Sequence, residues 1–369
     1  MSTEIIMALI MNLLLLLSSA ALVRSGPSML PLKSFKISGN VTYDCIDIYN
    51  QPGLDHPLLK NHTIQMKPSV SRFEFKNPTD NNKTYKKKIR CPDGTVPILR
   101  NSKDYITNPQ YFHPLSHERP GAHITGVRSN NGPFRGVEGW FNGYALNIGK
   151  DEASYSEIYI GSGSDEEVNF ISAGFMINPS VFGDGRVWSY GFWHGKDGKG
   201  CYNTACPGFV QVTREVPLVK PFDLKPGVPV WLRYSIHQDK YTENWWITLL
   251  SKPNVDIGYW PKELFNLLNN GANVIGVGGV VKASPSGSSP PMGTGKFPTE
   301  DERASAMFTN IEALNSNYEQ RKIDSFHMEK LLDSPNCYGL SIGKGKPFQR
   351  TQLGFFFNYG GPGGNSCGV

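Results

Sequence analysis

The chain has 369 residues, 39% of them hydrophobic, and a net charge of +5. That length suits about two domains with packed cores, and so small a charge excludes the concentrated basic surface of a nucleic-acid binder. The 39 glycines and 27 prolines exclude a long-helix architecture and favour many short elements joined by turns.

Residues 1–25 read as a secretory signal. An apolar run from Ile5 to Leu17 is broken only by Asn12, small residues follow, and Val23 and Ser25 precede a cleavage point before Gly26. The leading residues carry Glu4 and no Lys or Arg. The run is short for a membrane span, so the mature chain is expected to be exported and free of membrane. Residues 26–117 form a polar N-terminal segment with five of the eight histidines in or just beyond it, and a basic tract from Lys83 to Arg90. Three N-glycosylation sequons, at Asn40, Asn61 and Asn82, cluster there; each needs exposed backbone.

From residue 118 to 369 the pattern turns to short strands. Tyr155–Ile160, Val168–Ile177, Arg186–Trp193, Gly208–Thr213, Val230–His237, Asn244–Leu250 and Val274–Val281 are rich in β-branched and aromatic residues. Gly, Pro, Asn and Asp clusters separate them. Val230–His237 alternates, with Val230, Leu232, Tyr234 and Ile236 on an expected buried face and Trp231, Arg233, Ser235 and His237 on a wet one. The spacing predicts one helix, from Pro261 through Leu264, Leu267 and Leu268 to Asn270-Gly271. Ala283–Gly295 reads as a mobile Ser/Gly/Pro loop. The tryptophans Trp245, Trp246, Trp188 and Trp193 read as core, a ligand groove being the sharper alternative. The architecture expected is all-β, an antiparallel β-sandwich with a smaller N-terminal propeptide domain.

Six cysteines, an even number in an exported chain, point to disulfides. Six allow 15 connectivities; pairing by neighbourhood favours Cys45–Cys91, Cys201–Cys206 and Cys337–Cys367. Cys201 and Cys206 have no matching His pair, so zinc is not expected. Nor is any cofactor. His117-Glu118 is no zincin helix, Gly161–Asp165 holds no nucleophile elbow, and Gly293-Thr294-Gly295-Lys296 is no phosphate loop.

Several longer motifs agree with one another. Gly200-Cys201-Tyr202-Asn203-Thr204-Ala205-Cys206-Pro207-Gly208-Phe209-Val210-Gln211, Ile257-Gly258-Tyr259-Trp260-Pro261 and Pro291-Met292-Gly293-Thr294-Gly295-Lys296-Phe297-Pro298 resemble signatures of the neprosin family of plant proteins. Tyr43-Asp44-Cys45-Ile46-Asp47 and Cys91–Pro97 resemble that family's N-terminal activation peptide. The resemblance implies a propeptide followed by a β-sandwich, and an acid-active endopeptidase that cleaves after proline. Two glutamates would form its dyad, one activating water and the other handling the developing charge or the leaving-group proton.

The first family glutamate falls in an Ile-Glu-Ala-Gly-Trp run, here Ile171-Ser172-Ala173-Gly174-Phe175. The second falls in a Gly-Gly-Glu-Val run, here Gly278-Gly279-Val280-Val281. In that register a hydroxyl and an isopropyl group replace both carboxylates. Glu166, Glu167, Glu300, Asp301 and Glu302 are the nearest other acids, and Glu157 and Asp184 read as surface residues. The expectation is an extracellular protein of the apoplast or wall with impaired peptidase chemistry and a groove for proline-rich polypeptide. It binds neither nucleic acid nor membrane. The alternative is an active acid prolyl endopeptidase using other carboxylates.

Overall fold

The computed structural model describes residues 31–70, 89–100, 121–164, 167–204, 206–301, 304–343, 353–365 and 367. The signal-like N-terminus, Asn82 and its sequon, the tract through Lys88, Glu166 and Glu302 lie outside the described residues. Among those described, Pro31 onward packs as one unit.

The N-terminal segment builds a small antiparallel sheet from β1 (Lys33–Ser38), β2 (Val41–Asp47) and β3 (Thr95–Leu99), in that order. Beyond it come β4 (Ala122–Ser129), β5 (Gly136–Gly143), β6 (Ala153–Ser164), β7 (Glu167–Ile177), β8 (Val187–His194) and β9 (Gly200–Tyr202). Next are β10 (Val210–Gln211), β11 (Lys220–Phe222), β12 (Val230–Gln238), β13 (Trp245–Leu249), β14 (Val255–Trp260) and β15 (Val274–Lys282). The last are β16 (Ala306–Leu314), β17 (Gln320–Lys322), β18 (Glu329–Leu332), β19 (Gly339–Ile342) and β20 (Phe357–Gly360).

These strands form two large antiparallel sheets. One runs β11-β8-β7-β6-β15-β4-β18 with β9 on β8; the other runs β10-β14-β13-β12-β5-β16-β20-β19 with β17 on β16. Alternate residues of each face the other sheet. Ile158, Ile160, Ile171, Ala173 and Val277 meet Val137, Phe141, Leu232, Tyr234, Ile236 and Phe308 in one buried core. Phe141 is its hinge point, stacked on Phe308 at 4.9 Å and edge-on to Phe175 at 5.6 Å. Burying these facing apolar side chains drives the two sheets together.

All six cysteines are bonded, as Cys45–Cys91, Cys201–Cys206 and Cys337–Cys367. The N-terminal sheet is docked on the sandwich by specific contacts. The Tyr43 hydroxyl donates to the Val219 carbonyl at 2.7 Å, and Gln51 exchanges hydrogen bonds with the Gln211 main chain at 2.8 and 3.1 Å. Gly53 sits so close that a Cβ there would lie 1.9 Å from the Phe209 carbonyl oxygen, which is why only glycine fits.

The structure corrects three sequence expectations. No helix forms after Pro261; a single 3-10 turn spans Lys262–Leu264. Amides that a helix would use internally are taken by an outside acceptor: Asn169 Oδ1 receives Asn266 N and Leu267 N, while Asn244 Oδ1 receives the first-turn amide of Lys262. Leu264 and Leu268 are buried regardless, because tertiary partners override the helical pattern. Part of the Ala283–Gly295 segment is pinned: Ser289 and Met292 bridge Gly364 and Gly361, and Met292 is fully buried. The wet face of β12 is half-buried at Trp231 and Arg233 but buried at Ser235 and His237. The four tryptophans Trp188, Trp193, Trp245 and Trp246 are core residues.

Candidate functional site

The face of the β6–β7–β8–β15 region that points away from the core carries the residues of interest. On β7, Ile171, Ala173 and Phe175 fill the core, so Phe170, Ser172, Gly174 and Met176 lie on the opposite pleat. On β6 the same alternation puts Tyr155, Glu157 and Tyr159 outward, and on β15 it puts Gly276, Gly278 and Val280 there. Ser172 and Val280, the positions singled out in the sequence, therefore share one face.

Strand register arranges this face in three rows. The first is Arg128–Gly276–Tyr159–Ser172–Phe192–Tyr202. The second is Gly126–Gly278–Glu157–Gly174–Tyr190, and the third is Ile124–Val280–Tyr155–Met176–Trp188. Ser172 and Val280 are in different rows and on strands separated by β6. The residue between them is Glu157, in the middle row and on the middle strand.

Glu157 is 1% exposed and Ser172 is wholly buried, so Glu157 is not the surface acid that the sequence suggested. The Tyr190 hydroxyl donates to the Glu157 carboxylate. Ser172 Oγ lies 3.3 Å from the same hydroxyl oxygen. With the phenol proton committed to Glu157, Ser172 is the donor of that second bond. Burial pushes the Tyr190 pKa well up, and the Glu157 charge pushes it further. Tyr190 is thus a neutral donor across the working pH range. Tyr155 is also held protonated, its pKa pushed up to about 12 by burial, and it bonds Tyr202 at 3.1 Å and Asn178 at 3.1 Å.

At one side of the first row, Arg128 pairs with Glu329 at 2.6 Å. The ring of Tyr159 lies over Gly276, where a Cβ would come within 2.3 Å of it. The other acids lie elsewhere. Asp184 is half-buried and clamps Arg186 at 2.6 Å and Trp188 Nε1 at 2.9 Å. Glu167 bonds Asn266 at the rim, and Glu300 and Asp301 are exposed in a loop. Glu138 is buried too, but on the opposite sheet, facing Arg233 at 3.4 Å and Gln320 Nε2 at 2.9 Å. Only Glu157 among these joins the Ser172 face.

Sequence reasoning missed Glu157 for lack of one step. Tyr155, Ile158, Tyr159 and Ile160 mark a strand apolar on both faces, the pattern of a doubly covered strand. A carboxylate inside such a strand has to be buried. Among the described residues no His/Cys/Asp/Glu group is arranged to hold a metal ion.

Comparison with known proteins adds the following. The Neprosin family pattern matches residues 150–362, and the Neprosin activation peptide pattern matches residues 35–131. The fold is similar to that of scytalido-glutamic peptidase bound to a transition state analog inhibitor, at 12% identity and a TM-score of 0.34, covering 66% of this chain and 99% of that one. SCP-B, an eqolisin-family peptidase in complex with the tripeptide Ala-Ile-His, is similar at 11% identity and a TM-score of 0.33, covering 66% and 99%.

Proposed function

Because this chain belongs to the neprosin family, we propose that it is an exported, glutamic-peptidase-like protein that binds proline-rich polypeptide across the Ser172 face and is impaired in the family's two-carboxylate chemistry. The observation that carries this reading is the substitution pattern. Ser172 and Val280 hold the positions that match the two family glutamates, on one face of one sheet. Valine transfers no proton, and each proton-transferring group lost forfeits roughly 10²–10⁴-fold in rate. That face is lined by Tyr155, Tyr159, Phe170, Tyr190 and Phe192, all buried in this structure; aromatic rings of this kind suit proline once the face is uncovered.

Export is supported by the signal-like N-terminus, by three disulfides, and by exposed sequon residues Asn40 and Asn61. The N-terminal segment acts as a propeptide, and the boundary we assign to it falls near residue 117.

The test uses the full chain made in a secreting host. A binding isotherm is recorded with a proline-rich peptide at neutral and acid pH, beside a Ser172→Glu/Val280→Glu double variant assayed for cleavage. Saturable binding by the natural chain and a rise in cleavage by the variant are expected. A flat isotherm overturns the binding reading, and a variant no more active than the natural chain overturns the assignment of the two positions.

A further inference from the structure

The N-terminal segment and the sandwich do not meet as two finished surfaces. Tyr43, Cys45 and Leu59 of the segment belong to the same buried cluster as Trp193, Phe209 and Val219 of the sandwich. Another cluster is made jointly, with Leu54 and Ile64 packed on Val210, Trp246 and Tyr259. Trp246 and Tyr259 are wholly buried, so taking the segment away would open two large rings to water. The polar groups interlock as well. Gln65 Oε1 accepts from Thr242 Oγ1 at 2.7 Å, Asn244 Nδ2 at 2.9 Å and Trp246 Nε1 at 3.2 Å. The Gln211 amide of β10 donates to Gln51 Oε1 at 2.8 Å, and the Gly208 amide donates to the Gly53 carbonyl at 2.8 Å. An interface of this kind resembles a domain core cut in half, which marks permanent association.

The disulfides do not tie the two parts together. Cys45–Cys91 lies within the segment, and Cys201–Cys206 and Cys337–Cys367 lie within the sandwich. After a cut near residue 117, noncovalent contacts alone hold the segment. We propose that the sandwich keeps its N-terminal segment as a permanent second chain after such a cut, held by the shared core and by the Gln51, Gly53 and Gln65 contacts. This rests on the propeptide boundary assigned above and names the segment's fate. It is a retained subunit packed over β10, β13 and β14, not a peptide released on cleavage.

The test inserts a site-specific protease sequence near residue 117 of the full chain. The folded protein is cut at neutral pH without denaturant and diluted to about 10 nM, a concentration that only a tight complex survives. Size exclusion and non-denaturing mass spectrometry follow the two chains, and a denaturing gel confirms the cut. One two-chain species is expected. The urea concentration at which the cut chains part is then measured, and it should be lower in a Gln51→Ala/Gln65→Ala variant cut in the same way, because that variant loses the hydrogen bonds from Gln211, Asn244 and Trp246. Separation of the cut natural chain into two species on dilution overturns the proposal. A variant that parts at the same urea concentration as the natural chain overturns the assignment of the hold to these contacts. A secreted natural chain that is never cut near residue 117 removes the boundary reading instead, and the engineered cut still decides whether the segment is retained.

Discussion

The pairing of Tyr190 with Glu157 shows how much rests on single groups in this sheet. A carboxylate at 1% exposure is costly unless donors surround it. Tyr190 is one of those donors, and it is itself held neutral by burial. Tyr190→Phe keeps the ring and removes the donor, so it should destabilise the fold by about 1.5–3 kcal/mol, the worth of a hydrogen bond to a charged group. Thermal unfolding of the variant checks this; an unchanged midpoint would mean that Glu157 is satisfied without Tyr190. The identities of Ser172, Val280 and Glu157 could all be read from the sequence. That Glu157 lies between the other two could not, because β6 comes between β7 and β15 only through pairing.

Elements recognised by their β-branched and aromatic runs formed where expected, and β5 was not among them. β6, β7, β8, β12, β13 and β15 all lie on segments whose β-branched and aromatic runs announced them. β5 did not announce itself, because Gly136, Gly139 and Gly143 interrupt its run of strand-forming residues. In the fold, a Gly139 Cβ would lie 3.6–3.8 Å from the Ile158 and Phe308 side chains, so the position faces the core between the two sheets. The segment from His62 to Ser69 is another element set by distant partners. Gln65 N donates to the Tyr259 hydroxyl oxygen at 2.9 Å, and that hydroxyl lies 2.8 Å from His62 Nε2. Glu263 pairs with His62 Nδ1 at 3.3 Å, and Ser69 donates to Asp239.

Those two carboxylates make this attachment acid-sensitive. Burial pushes the Asp239 pKa up, but hydrogen bonds from Thr242, Ser69 and Tyr241 outweigh it and hold it below the usual carboxylate range. The His62 hydrogen bond holds Glu263 low against burial. A carboxylate depressed in the folded state contributes stability that is fully present above its unfolded value, roughly 3.9–4.3. That contribution is lost as pH falls through the lower folded value. Protection of the 62–69 amides from hydrogen exchange, corrected for intrinsic rates, should therefore fall between about pH 4 and pH 2. Asp239→Asn should show lower protection already at pH 6 and a smaller further fall. Equal protection across that range would count against the attachment.

At the scale of the whole molecule, the two sheets share one core and the N-terminal sheet is stapled beside them. Cys45–Cys91 ties β2 to the segment that leads into β3, across a sequence separation of 46. Closing a loop of that length removes unfolded-state entropy worth about 4 kcal/mol in the chain-entropy account. A Cys45→Ala/Cys91→Ala variant should accordingly unfold roughly 5–10 °C lower, by calorimetry on the full chain. A shift below about 1 °C would mean that docking contacts such as Tyr43 to Val219 hold this region without the bond.

By itself the sequence determined the family, the all-β class and the cysteine neighbours, because each is a matter of residue type and local spacing. Tertiary structure alone decided three things: that the Pro261 segment gives up its helical amides to Asn169, that Gly139 belongs inside a strand, and that Glu157 is buried between Ser172 and Val280. The physical reason is common to all three. Each depends on hydrogen-bond acceptors, packed side chains or strand register supplied by residues remote in the chain, and no local pattern encodes which remote strand will arrive alongside.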